Sequence, residues 1–529
     1  MKRLLVLLTA LAASFGVSCN GGSSVVTPPP PAGNFSPSSL KGQYTFSMAG
    51  QDLSGGSISR VGSFIADGAG KITGALEDVS DEGTAVQTVS FSSGSYSIDA
   101  SGHGSMQFLQ GTTVGLQFSI VLASTSSGLM IQTDLNATSS GNFVLASATT
   151  PATFSLSQIN GNYVFDVAGI RTVQAVPLTD VGLSILGQLK TNGSSVSGGL
   201  LDVNDGVSGP SGPIAILSGT SYQLDPANGN GTNFGRGTIT FVAGPRTFNF
   251  IFYIVDPTHF KLLETDAGLL TSGDAVLQGT VPTQSSGFTG SFAFLVGGSD
   301  TAGPLAEVGR FTADGSQNLT SVFVDLNEAG TIPNTISGPA TPSYQIDLAN
   351  AGSGRGTITF TDASLGQFSF VFYLSSQSKG VVQDTSTGVV ADGSLVAQTG
   401  GPFTSTSIAG NYAVNWTGVN LGSTHNLIFE EDFVGQYVLP LPNGQQHNGA
   451  VDIVELGSTG KNFIPQDPVS VTLNISGDGT QSNPQYDFQT ANAPTTNFRF
   501  RAYFVNQQQV FLLSNVTNSV DLGIATRQQ

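Results

Sequence analysis

The feature that most constrains this chain is a two-strand pattern that returns at long, regular intervals. Its clearest copy opens Gly354-Arg355-Gly356-Thr357-Ile358-Thr359-Phe360 and, after a short turn, continues Phe368-Ser369-Phe370-Val371-Phe372-Tyr373. Both halves alternate with period two and are rich in β-branched and aromatic residues, so each reads as a strand. That period puts Phe368, Phe370, Phe372 and Leu374 on one face, where they would line a core. The pair recurs as Gly235–Phe241 with Phe248–Tyr253, and as Gly102–Phe108 with Leu116–Leu122. A worn copy stands at Phe498–Phe504. Phe118, Phe250, Phe370 and Phe500 are separated by 132, 120 and 130 residues, so one β module is repeated four times.

A chain of 529 residues is too long for one core. Charged residues make up only 10% while hydrophobic residues reach 39%, a balance that supports packed, turn-rich β modules rather than disorder. The net charge of -18 speaks against nucleic acid, whose backbone needs clustered Lys and Arg. The expected division is a signal peptide over 1–18, a flexible tether over 19–39, and β modules over 40–150, 156–280, 285–400 and 405–529. The last module is the divergent one. It carries the only Trp, Trp416, and two of the four His, His425 and His447.

Lys2 and Arg3 precede an apolar run from Leu4 to Phe15, which ends Gly16-Val17-Ser18-Cys19. Cys19 is the only cysteine. The segment resembles a bacterial lipoprotein signal, although Gly16 stands where that family usually has Leu. The resemblance implies lipidation of Cys19 and attachment to a membrane through the N-terminal lipid. It also implies export to the outer membrane or cell surface, with a periplasmic or secreted location as the alternative. Asn20 to Ser24 and Pro28 to Pro31 then read as a tether, flexible at first and extended after.

Within each copy about eight short strands follow one another with brief turns. The expected fold is all-β: four tandem modules of antiparallel strands, each a small up-and-down barrel, with a β-sandwich as the alternative. The Gly-x-Tyr openings (Gly42-Gln43-Tyr44, Gly161-Asn162-Tyr163) resemble those of avidin and lipocalin barrels at the level of pattern. Over the whole length, Asp314-Gly315, Asp325-Leu326-Asn327, Gly354-Arg355-Gly356-Thr357 and Val371-Phe372-Tyr373 resemble the multi-repeat β lipoproteins of acidobacteria. That likeness implies a location and no activity.

A recurrent acidic stretch is the best candidate for chemistry. It reads Asp78-Val79-Ser80-Asp81, Asp202-Val203-Asn204-Asp205 and Asp325-Leu326-Asn327-Glu328, with a remnant at Asp452-Ile453-Val454-Glu455. Asp78, Asp81, Asp202, Asn204, Asp325 and Asn327 could offer oxygen ligands to Ca²⁺. An EF-type loop needs more acids and a bidentate Glu, so the expectation is a structural turn that bonds its own backbone. Arg236 and Arg355 read as strand-end residues paired with a module carboxylate. Trp416, Arg499 and Arg501 are the candidate interaction residues of the last module, the arginines facing away from the core. His103, His259, His425 and His447 lack metal-ligand spacing, and no nucleophile elbow or phosphate-cradling loop is present. No enzyme activity and no cofactor beyond the lipid are expected. The leading expectation is a lipid-anchored structural or adhesive protein that displays four modules in series to a protein or glycan partner. Binding of a small apolar ligand or carbohydrate inside the modules is the alternative.

Overall fold

The computed structural model describes residues 34–529 except 83, 174–178, 228–231, 332, 422–428, 441–446, 458–459, 473–485 and 491–496. Its regular elements are β-strands and three short 3₁₀ turns. The strands group into four antiparallel sheets spanning Lys41–Ser147, Asn160–Leu277, Thr289–Ala397 and Gly410–Arg527. In each, the first strand pairs with both the second and the last. Lys41–Asp52, for example, lies between Ser57–Asp67 and Ala137–Ser147. The same double pairing holds for Asn160–Val173, Thr289–Ser299 and Gly410–Asn420. Such pairing curls a meander round on itself and hides its edges. The fourth module is a closed eight-stranded barrel, and the first three are curled nine-stranded sheets.

The ninth strand comes from the segment that follows the recurrent acidic stretch. Gln87–Phe91, Gly209–Ile216 and Asn334–Ser337 each pair with the third strand of their module. Their sequences are polar because their outer faces are wet, so the alternation that marks the other strands is weak.

Each module is filled by its own apolar cluster. Phe368, Phe370, Phe372 and Leu374 all point into the third. A void among Phe294, Phe311, Phe360 and Phe370 measures only about 10 Å³, barely one water. The second strand makes room for the large rings by carrying glycine. Gly62, Gly187 and Gly309 sit opposite Phe46, Phe165 and Phe294, and a Cβ on any of them would press into that ring.

The residue before each of these glycines points outward and serves the contact between modules. Val61 packs on Tyr253, Ile251 and Leu263 of the second module. Leu186 packs on Val371 and Tyr373 of the third, and Val308 on Tyr503, Phe511 and Leu513 of the fourth. Val434 of the fourth module packs on Val121, Ala123 and Ile131 of the first. The same patches meet at all four joints, so the modules close head to tail into a ring. The expected open series of modules is thereby corrected: the fourth lies against the first.

Gly309→Ala should lower the unfolding free energy by about 1–3 kcal/mol, because the new methyl forces Phe294 out of place. Urea denaturation checks this, with Gly279→Ala, at an exposed linker position with room for a methyl, as the comparison.

Candidate functional site

The recurrent acidic residues are not in turns. Asp78, Asp202, Asp325 and Asp452 lie inside the third strands Lys71–Asp81, Val196–Asp205, Leu319–Glu328 and Gly449–Gly457. Their neighbours Leu201 and Val203, Val324 and Leu326, and Val451 and Ile453 point into the cores. Period two therefore sends each Asp outward, onto the next module in the ring.

There each carboxylate, buried to 2% exposure or less apart from Asp202 at 4%, meets a donor set from the following copy. Arg236 clamps Asp78 through Nε at 2.6 Å and Nη2 at 2.9 Å, while the Tyr253 hydroxyl donates at 2.6 Å. Arg355 clamps Asp202 through Nε at 2.7 Å and Nη2 at 2.8 Å, with Tyr373 donating at 2.6 Å. Tyr503 donates to Asp325 at 2.7 Å, and Thr335 supports the same carboxylate at 2.6 Å. At the fourth joint His103 Nε2 lies 2.7 Å from Asp452, and Ser119 donates at 2.6 Å. His103 occupies the strand position of Arg236 and Arg355, so one acid and its partner recur around the ring. Burial, followed by the adjacent carboxylate, pushes the Tyr253, Tyr373 and Tyr503 hydroxyls well above their ordinary range.

Arg236 and Arg355 also pair with a carboxylate of their own module, Asp225 and Asp347, as their place at a strand end predicts. The second carboxylate, from the module before, has no mark in the local sequence.

Asn204 and Asn327 lie two residues beyond the joint acids and again point across the boundary. Asn204 Nδ2 donates to the carbonyls of Asp384 and Val389, both at 2.8 Å. Asn327 Nδ2 donates to those of Ser514 at 3.1 Å and Ser519 at 2.8 Å. Asp81 is the exception, because it lies at the rim, where burial and the charge of Asp52 raise its pKa. The six residues thus fall at separate joints. Among the described residues no group of three or more His, Cys, Asp or Glu gathers as a metal would need.

Trp416 is corrected from surface to core. It is fully buried, stacked on Phe433 at 4.5 Å between ring centroids and edge-on to Phe500 at 5.1 Å. Its strand position is that of Met48, Val167 and Val296, and it lies across from Gly523 as they lie across from Gly141, Gly273 and Gly393. Arg499 and Arg501 are half-buried on the outer face of Asn497–Asn506, and Arg501 lies close enough to Tyr503 to oppose the rise in its pKa. Cys19 and His425 lie outside the described residues. Asp452, His103 and Ser119 carry no signal in a single strand. They emerge when the four copies are aligned and the acid is found in each.

No family model matches the chain, and no curated protein matches it. Among solved structures, a mutant of transferrin binding protein B from Haemophilus parasuis Hp5, a vaccine antigen, aligns at 11% identity and a TM-score of 0.19. The alignment covers 69% of this chain and 76% of that one. Kievitone hydratase from Nectria haematococca aligns at 11% identity and a TM-score of 0.17, covering 72% and 97%. Intact Ap-TbpB, with its N and C lobes, aligns at 10% identity and a TM-score of 0.15, covering 76% and 83%. These scores lie below those of a shared overall arrangement.

Removing one partner from a buried pair strands the other charge, at a cost of about 3–5 kcal/mol. Arg355→Leu should therefore destabilise the protein strongly in urea, and Arg355→Leu with Asp202→Leu should recover most of that loss.

The fourth joint is sensitive to pH. Burial lowers the His103 pKa, but the hydrogen bond and charge of Asp452, with the charge of Asp99, outweigh it and raise the pKa above 6.5. A histidine with a raised folded pKa contributes its full stability below 6.5 and loses it as pH climbs through the folded value. Burial also raises the carboxyls of Asp432 to about 6 and Asp392 and Asp521 to about 7, and their effect has the same sign. Unfolding free energy should thus fall from pH 5 to pH 8, and His103→Arg should flatten the part of the slope above 6.5 in urea titrations.

Proposed function

We propose that this protein is a lipid-anchored interaction scaffold, exported and held at the cell surface or outer membrane through Cys19. It acts by binding a protein partner rather than by catalysis. The observation that carries this reading is how the apolar surface is used. Aromatic side chains fill the module interiors, and neighbouring modules cover the outer faces at the joints. Contact with other molecules is left to the turns at the two ends of the barrels.

Those ends are not equivalent. The chain comes in at Phe35 to Leu40, where the Tyr96 hydroxyl bonds the carbonyls of Pro37 and Leu40, and the first strand leads away from it. The turns after the first, third and eighth strands therefore gather at the end opposite the tether. That end carries the exposed Leu53 and Val207, with the half-buried Asp52 beside the first, an apolar and acidic rim suited to a protein partner. Pocketing of a small apolar molecule is disfavoured by the filled interior of the third module. Glycan stacking on tryptophan is disfavoured by the burial of Trp416.

Replacing Cys19 with Ser should move the protein from the membrane to the soluble fraction, and protease added to intact cells should cleave the wild type. Membrane association unchanged by Cys19→Ser would refute the anchor.

A further inference from the structure

A pair of carbonyls five residues apart, flanking the turn before the last strand, recurs at each joint. At three joints the preceding module supplies a donor to it. Asn204 serves Asp384 and Val389, and Asn327 serves Ser514 and Ser519. At the closing joint a lysine does the same work. Lys461 Nζ donates to the carbonyls of Gln132 at 2.8 Å, Asp134 at 2.6 Å and Ala137.

The joint between the first and second modules differs. The equivalent carbonyls belong to Glu264 and Leu269, and among the described residues no side chain donates to them. Ser80 holds the position of Asn204 and Asn327 but is too short to cross. Ser80 is 4% exposed, has no side-chain hydrogen bond among the described residues, and faces an open cleft of about 500 Å³. Asp81, Glu82, Val86, Asp266 and Leu270 also line that cleft. One oxygen of Asp81, Oδ1, is buried without a partner. Neither Asp81 nor Glu82 has an ion-pair partner among the described residues. At the joint between the third and fourth modules the same space is closed, because Asn518 donates its backbone N–H to the carbonyl of Gly330 at 2.6 Å.

We infer that the cleft between the first and second modules binds a primary ammonium on an aliphatic stem, the chemistry of a lysine side chain. The ammonium takes the place that Lys461 fills at the closing joint. It donates to the Glu264 and Leu269 carbonyls and faces the carboxylates of Asp81 and Glu82. The stem lies along Ala85, Val86, Ala267 and Leu270, as lysine stems do on apolar walls. A divalent ion fits less well, since the acids are spread along the cleft and do not converge. The site belongs to the ring itself and does not depend on the anchor.

The test is calorimetric titration of the chain with Nα-acetyl-lysine methylamide, beside the norleucine analogue, which has the stem without the ammonium. Saturable binding of the lysine compound alone is expected. Ser80→Asn supplies the missing internal donor, so it should weaken binding about tenfold or more while raising the melting temperature. Glu82→Gln should weaken binding without that rise. A pentapeptide with lysine between glycines separates the two sources of the ligand. Equal affinity assigns the site to free amines, and tighter binding assigns it to polypeptide. Equal binding of norleucine, undiminished binding by Ser80→Asn, calcium competing at one equivalent, or no binding of either lysine compound would overturn the inference.

Discussion

Everything about the arrangement of this molecule depends on a carboxylate that one barrel buries in the flank of the next. An ionised carboxylate taken out of water is costly unless its lone pairs are filled. Arg236 and Arg355 fill them with two parallel N–H bonds each, and a tyrosine hydroxyl adds a third. That geometry tolerates little sliding or rotation, so the acid fixes orientation where the apolar contacts around it supply attraction. Val61, Leu186, Val308 and Val434 would accept many packings, but the clamp accepts one.

The polar contacts beside the clamp differ from joint to joint. Between the second and last strands of neighbouring modules, Ser59 meets Ser272 at 3.2 Å, while the Ser184 hydroxyl bonds the carboxyl of Asp392. At the next joint the equivalent pair is Ala306 with Leu522, which share one apolar cluster, and at the last Asp432 faces the Ser140 hydroxyl. Each half suits only its own partner. Ala306 set against Asp392 would leave a buried carboxyl without its hydroxyl, and Asp432 set against Leu522 would do the same. Modules of common origin are thereby kept in one order around the ring.

How much of this is legible in the sequence follows from which face a residue serves. The inward face can be read, because aromatic residues at period two, repeated about every 125 residues, fit little besides a recurring sheet. Phe370 and its counterparts, the antiparallel order and the barrel all follow from that. The outward face misleads. Asp202 and Asn204 close to glycines look like a turn, and only the neighbouring Leu201 and Val203 mark them as strand. Trp416 stands out because it is unique in the chain, yet it holds the inward position of Met48, Val167 and Val296. What a single chain cannot declare is that its outer faces meet one another, since closure is a property of angles between modules.

The closing joint shows what that geometry demands. It is the one joint whose two modules are not adjacent in sequence, so no short linker holds them together. Between the second and third modules, and between the third and fourth, a glutamine after the last strand fastens one module to the next. Gln278 Nε2 donates to the carbonyl of Leu374 at 2.8 Å, and Gln398 Nε2 to that of Phe504 at 2.7 Å. Gln528 does the same across the closure, donating to the carbonyl of Leu122 at 2.8 Å and to that of Ser101 at 3.0 Å. The pattern therefore continues where the chain does not, although here the clamp has become His103 with Ser119 and a lysine has replaced the asparagine. Those exchanges trade a fixed guanidinium for a group that titrates near neutrality. The joint that chain connectivity supports least thus also has a clamp that responds to pH, and a ring built this way would open there first.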